Sequence, residues 1–371
     1  MAITLSGDLA KLFLIENNFM INSENLKQGA KNILVNCANL SNNESLLIIS
    51  EDPVLGWYKK DITEALSKEA NDMGVKTTVL EVGGPQNDSK NKLTQVIEDF
   101  DCTVFFARIG DQDRFDTKTF KTKRVMSYAR SAENLSSVFG CINYQALVDI
   151  KKAINKIFSN GGFVEITCPL GTKVFGRLEQ SIIDDSSDVG VLRFPMLVPT
   201  PIKARNFSGK VALSKYLTPT GSKVYEPASL FLEDQIYTII ENGKIIDFEG
   251  DENIIIKVKN HYKHIAEIFN IDKNHVDSWH AGIHPGTSYN HPIEDDPDRW
   301  SNTMFGSPKY LHFHTCGNYA PGEICWMIEN HNITVDGKPL WDKGRLMVNN
   351  FNETRICLDK WNDLIELYEN Q

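Results

Sequence analysis

Between residues 46 and 107 three apolar runs alternate with two amphipathic stretches, and this alternation limits the fold more than any other feature of the chain. Leu46–Ser50 is bounded by Asn42-Asn43-Glu44 and Glu51-Asp52-Pro53, so it reads as a buried strand. Tyr58–Met73 places Ile62, Ala65, Leu66, Ala70 and Met73 on one helical face, and Gly74 stands at the stop position. Val75–Val82 reads as a second strand, Lys90–Phe100 as a second helix and Thr103–Ala107 as a third strand. A β-α-β-α-β order implies a parallel sheet with right-handed crossovers. A further helix is predicted at Tyr144–Ser159, where Leu147, Ile150, Ile154 and Ile157 share a face, followed by Gly161-Gly162 and a strand at Phe163–Cys168.

After about residue 170 the pattern changes. Phe194-Pro195-Met196-Leu197-Val198-Pro199-Thr200-Pro201 is too rich in proline for a regular helix or a central strand. Two apolar runs, Gln235–Glu241 and Lys244–Phe248, flank Asn242-Gly243; that dipeptide tolerates positive φ at both residues and marks a hairpin. Asp336-Gly337 marks a second hairpin, and one helix, Glu252–Phe269, interrupts the strands. The expected class is α/β: an N-terminal parallel-sheet, Rossmann-like domain over residues 1–170, then an α+β domain rich in antiparallel strands over 171–371.

Composition narrows the function classes. The 371 residues carry a net charge of −10 and no basic cluster, which argues against nucleic-acid and anionic-membrane partners. No apolar run approaches the length of a membrane span, and Met1–Met20 lacks the pattern of a secretory signal. The 7 cysteines are scattered and form no CxxC, which suits reduced thiols in a cytoplasm. There is no G-x-G-x-x-G, Walker A or G-x-S-x-G sequence.

All 9 histidines fall between His261 and His331. Imidazole is the commonest protein ligand for transition metals and titrates near neutrality. His312-Phe313-His314 sits in an aromatic run that reads as a strand, where i and i+2 project from the same face and present two imidazoles side by side. His280-Ala281-Gly282-Ile283-His284-Pro285-Gly286 has the i, i+4 spacing of a zincin helix, but its glycines and proline forbid a helix and the expected Glu is missing. It reads instead as a strand end or loop whose glycines let backbone approach closely. His261 and His264 flank the apolar face of the 252–269 helix and read as packing or solvated residues. His275 and His331 receive no role, and His291, ahead of Glu294-Asp295-Asp296, is a candidate lid residue. A structural Cys₂His₂ set of His312, His314, Cys316 and Cys325 is the minor alternative, because alternate positions on one strand fit a tetrahedron poorly.

Phe163-Val-Glu-Ile-Thr-Cys-Pro-Leu-Gly-Thr172, the Ile-Glu-Asn-Gly-Lys-Ile hairpin, His280-Ala-Gly-Ile-His-Pro-Gly286 and the final His-x-His with its Asp336-Gly337 turn resemble, in the same order, the aminopeptidase T family of metallopeptidases. The resemblance spans most of residues 25–345. That superfamily also includes the 2,5-dihydroxypyridine dioxygenases, which hold a single iron(II). The resemblance implies His280 and His312 as ligands. It also implies an aspartate where this chain has His314. Acidic ligands expected near 198–202 and just before the glycine loop are replaced by Val198-Pro-Thr-Pro-Ile202 and by Asp277-Ser278-Trp279. Losing carboxylates weakens a two-metal hydrolytic site most, because two dications need anionic bridges.

The expectation is a mononuclear non-haem iron(II) oxygenase acting with O₂ on a small substrate of aromatic or heterocyclic type. His280, His312 and His314 bind Fe(2+), with Glu323 as an alternative source of a carboxylate. His284 is the expected proton carrier, Tyr289 and Glu323 orient substrate or a ligand, and Trp279 and Trp300 wall the pocket. The alternatives are a Zn(2+)-type aminopeptidase or amidohydrolase, and a binding protein whose site has degenerated. A homodimer or higher homo-oligomer is expected from the resemblance.

Overall fold

In the computed structural model, residues 22–86, 90–112, 121–180, 191–220, 224–317 and 322–371 are described. Ser45–Glu51 (β1), Lys76–Val82 (β2), Cys102–Phe106 (β3) and Lys123–Ser127 (β4) form a parallel sheet in the order β2-β1-β3-β4. The apolar runs explain its centre: Leu46–Ile49 of β1 and every residue of β3 are buried, as expected of strands covered on both faces. Between β1 and β2, Lys60–Asp72 (α1) buries Ile62, Leu66 and Ala70 and ends before Gly74, whose φ of +80° an L-residue rarely adopts. Lys90–Ile97 (α2) links β2 to β3, and Tyr144–Ser159 (α3) buries the predicted face, including Leu147, Ile150, Ile154 and Ile157.

The second sheet is antiparallel and, among the described residues, has twelve strands. Gly162–Thr167 (β5) and Lys173–Leu178 (β6) form its first hairpin. The strand expected near 163–168 therefore exists but pairs with β6 and with Asn332–Val335 in this second sheet, not in the parallel one. The parallel sheet is instead completed beyond β4 by Leu192–Phe194 (β7), immediately before the proline-rich stretch. The chain thus enters the second sheet, returns to the first and leaves it again.

Ile202–Lys203 (β8), Phe207–Pro219 (β9), Leu230–Glu241 (β10) and Lys244–Glu249 (β11) follow. Asn242 and Gly243 have φ of +47° and +72°, and Asp336 and Gly337 have +49° and +77°, so both predicted hairpin turns form with two consecutive left-handed residues. Glu252–Phe269 (α4) has the predicted bounds and buries Ile254, Val258, Tyr262 and Ile265. From β9 the sheet runs through Ile324–Glu329 (β14), Tyr310–Thr315 (β13) and Val276–Ala281 (β12) to end at β8. Among the described residues, no helix is long and apolar enough to cross a membrane.

Candidate metal centre

β12 and β13 are buried along their whole lengths, so each must place half its side chains into a packed layer on each side of the sheet. In the antiparallel register His280 faces His312, Trp279 faces Phe313 and Ser278 faces His314. Directly opposed residues project from the same side. The pairing therefore puts His280, His312, His314 and Ser278 on one face, and Trp279 and Phe313 on the other.

The second face is aromatic. Trp279 packs edge-on to Phe158 and Phe207, with ring centroids 5.7 and 5.3 Å away. This corrects the expectation that Trp279 walls the histidine pocket: strand alternation turns it away from His280. Behind the same layer, the Trp326 indole N–H donates to the Tyr262 hydroxyl at 2.7 Å.

On the first face the imidazoles crowd together. The Nε2 atoms of His280 and His314 are 2.8 Å apart. Ring centroids are separated by 4.9 Å for His280–His314, 5.3 Å for His280–His312 and 6.4 Å for His312–His314. All three residues are buried, and His312 Nε2 has no hydrogen-bond partner among the described residues. Burial first, and then the neighbouring His314 and His331, hold His312 well below the usual histidine pKa, so it is neutral with a lone pair to offer. Phe305, just after the helix Pro297–Met304 (α5), brings its ring within 6.1 Å of His312. Trp300 of α5 packs edge-on against Tyr310, at 5.6 Å, on the strand face that also carries His312.

The glycine loop fixes the end of β12. A Cβ on Gly282 would lie 2.2 Å from the Ser307 carbonyl oxygen, so only glycine lets the two backbones approach this closely. Three backbone bonds hold the segment: Gly282 N–H to Tyr310, Ile283 N–H to Leu197 and His284 N–H to Gly306. His284 is fully buried. Its Nε2 lies 3.1 Å from the Phe139 carbonyl, and its Nδ1 accepts the Gly286 N–H at 3.1 Å. Burial lowers its pKa to about 4. With both ring nitrogens engaged by backbone, its place is in the framework of the loop, which counts against the proton-carrying role read from the sequence.

The remaining expected residues have these partners. The Tyr289 hydroxyl donates to the Asp296 carbonyl at 3.3 Å. Glu323 is buried at the entry to β14: its N–H donates to the Thr315 and Cys316 carbonyls, and its own carbonyl accepts the Tyr225 hydroxyl at 2.8 Å. Asp277 is bound by Lys203, with Nζ to Oδ1 at 2.9 Å. His261 is buried and pushed to about 4 by desolvation, while His264 lies against the Glu226 carbonyl at 2.8 Å. Sequence reasoning gave His331 no role. It is fully buried, held at about 3 by burial, and close enough to His312 to influence its charge. Its position between two hairpin strands offered no local signal for this.

The donor chemistry suits a metal ion: two imidazoles whose Nε2 atoms are hydrogen-bonded at 2.8 Å, close enough for one ion to take the place of the shared proton, and beside them a third, neutral ring whose Nε2 has no partner among the described residues. The convergence is incomplete. Among the described residues no group of three or more His, Cys, Asp and Glu side chains is arranged to hold a metal, and this applies equally to the Cys₂His₂ alternative.

No protein-family model matches the sequence, and no curated protein matches it. Solved structures do. A 2,5-dihydroxypyridine dioxygenase from Pseudomonas putida KT2440 superposes with a TM-score of 0.59 over 91% of this chain and 100% of that one, at 13% identity. Wild-type AmpT from Thermus thermophilus superposes with a TM-score of 0.50 over 88% of this chain and 99% of that one, at 12% identity. The chain is therefore similar in fold, over nearly its whole length, to both of these proteins.

Proposed function

We propose that the protein is a mononuclear metal enzyme, an iron(II)-dependent oxygenase acting with O₂ on a small aromatic or heterocyclic substrate. The observation that carries the reading is the approach of His280 Nε2 to His314 Nε2 at 2.8 Å, on the same buried face as the unpartnered Nε2 of His312. The likeness in fold to a 2,5-dihydroxypyridine dioxygenase supports it.

His280 and His314 would hold the ion, with His312 as the adjacent third donor. Iron(II), when bound, supplies the redox chemistry toward O₂ that no side chain can. Burial keeps His312 neutral, so that it offers a lone pair where a protonated ring would offer none. Pairing across β12 and β13 holds the rings at fixed separation without a flexible loop. Phe305 covers His312 and helps to exclude bulk water. Asp277, the acidic residue nearest His280 in sequence, is engaged by Lys203, which favours a single-metal site over a two-metal hydrolytic one.

Anaerobic purification followed by elemental analysis and oxygen-uptake assays tests this reading. About one iron per chain, lost in His280→Ala and in His314→Ala, is the expected result. Two zinc or cobalt ions per chain with turnover in the absence of O₂ would overturn it.

A further inference from the structure

Against α5 lies a cavity of about 130 Å³ lined by Trp57, Arg108, Asp111, Arg130, Asp298 and Asn302, among others. Its two arginines are not equivalent. Arg108 is paired: its Nε and Nη2 reach Glu51 Oε1 at 2.9 and 2.8 Å, and its backbone N–H donates to the same carboxylate. Arg130 is only 8% exposed and forms no ion pair among the described residues. Its Nη2 donates to the Asn302 carbonyl at 3.1 Å, while Nε and Nη1 are buried and have no partner among the described residues. Both guanidiniums lie against the Trp57 ring, 4.3 and 4.8 Å from its centroid.

A buried guanidinium normally recruits a carboxylate, because the desolvation of an unpaired charge costs several kcal/mol. The Trp57 face recovers part of that cost, but it leaves two N–H-bearing nitrogens unsatisfied. Acidic groups are close, yet none takes up the vacant donors. Asp111 accepts the Tyr128 hydroxyl at 2.9 Å, and Asp298 accepts the Asn302 amide. Those same acids make the cavity unfavourable for a dianion. We propose that the cavity binds a small monocarboxylate whose oxygens accept the free Nε and Nη1 hydrogens of Arg130. Burial and Asp296 raise Asp298 to about 6, so near neutrality part of the population carries no charge there to repel the ligand. The inference is independent of the metal reading, since none of the three imidazoles lines the cavity.

Calorimetric titration with benzoate, its neutral isostere benzamide and inorganic phosphate tests the proposal. Saturable binding of benzoate at millimolar concentration, without binding of benzamide, is expected. Arg130→Met should weaken benzoate by about tenfold or more, the worth of a charge-assisted hydrogen bond, and His280→Ala should leave it unchanged. Failure of benzoate to bind, equal binding of benzamide, or preference for phosphate overturns the proposal. Loss of binding in His280→Ala also overturns it, by moving the ligand to the imidazole face. The discrimination of carboxylate from amide is read on the unaltered protein, so it decides the matter even if Arg130→Met does not fold.

Discussion

The two faces of the β12–β13 ribbon come from the same twelve residues, yet one is lined by Trp279 and Phe313 and the other by His280, His312 and His314. Both faces are buried. The aromatic face meets Phe158 and Phe207 in closely packed edge contacts, each ring with partners on several sides. The imidazole face brings like groups together and leaves a polar atom of His312 without a partner. The first arrangement suits stability. The second costs stability, and a cost retained in a buried place points to a ligand or a reaction. The contrast predicts that damage to one face should read out in folding, and damage to the other in binding.

The largest expected effect is that of acid on the buried imidazoles. His261 and His284 are held at about 4 and His331 at about 3, against an unfolded value near 6.5. Because their folded values are depressed, the unfolded chain takes up protons first as pH falls below about 6.5. Stability is therefore complete above that pH and declines toward pH 4, by about 4 kcal/mol per pH unit for three protons. Denaturant melts at successive pH values check this, and a flat profile from pH 7 to 5 would show that these rings are not held neutral.

Trp279→Ala removes the centre of the aromatic face and should cost about 3–5 kcal/mol in urea unfolding. Gly282→Ala drives a Cβ into the Ser307 carbonyl. It should cost roughly 1–3 kcal/mol by the same measurement and, by displacing the end of β12, weaken metal retention. His280→Ala and His314→Ala should change stability least, by about 1 kcal/mol or less, while metal content falls to background. If either histidine variant is as unstable as Trp279→Ala, the two faces do not differ in the way described.

Much of this contrast was legible in the sequence. Strand alternation through His312-Phe313-His314 placed two imidazoles together, and Asn242-Gly243 and Asp336-Gly337 announced their hairpins. These are local signals, settled by sterics over a few residues. The facing of His280 and His312 depends on the register between strands about thirty residues apart, which no local pattern encodes. Trp279 neighbours His280 in sequence, yet the alternation that brings His312 and His314 together sends it to the opposite side. His284 looked free because backbone partners such as the Phe139 carbonyl, far away in the chain, leave no mark on the residues around a histidine. The cavity at Arg130 was not anticipated: Trp57, Arg108 and Asp298 converge there only through the fold.

The interleaving of the two sheets has a consequence for how this molecule can be taken apart. A fragment ending near residue 170 would lack Leu192–Phe194, the strand that closes the parallel sheet, and would carry Gly162–Thr167 with both of its flanking strands missing. The complementary fragment would expose the β6 edge left by that loss. Neither half is a portable module, so a nick between the sheets should release both into aggregation instead of yielding two folded pieces.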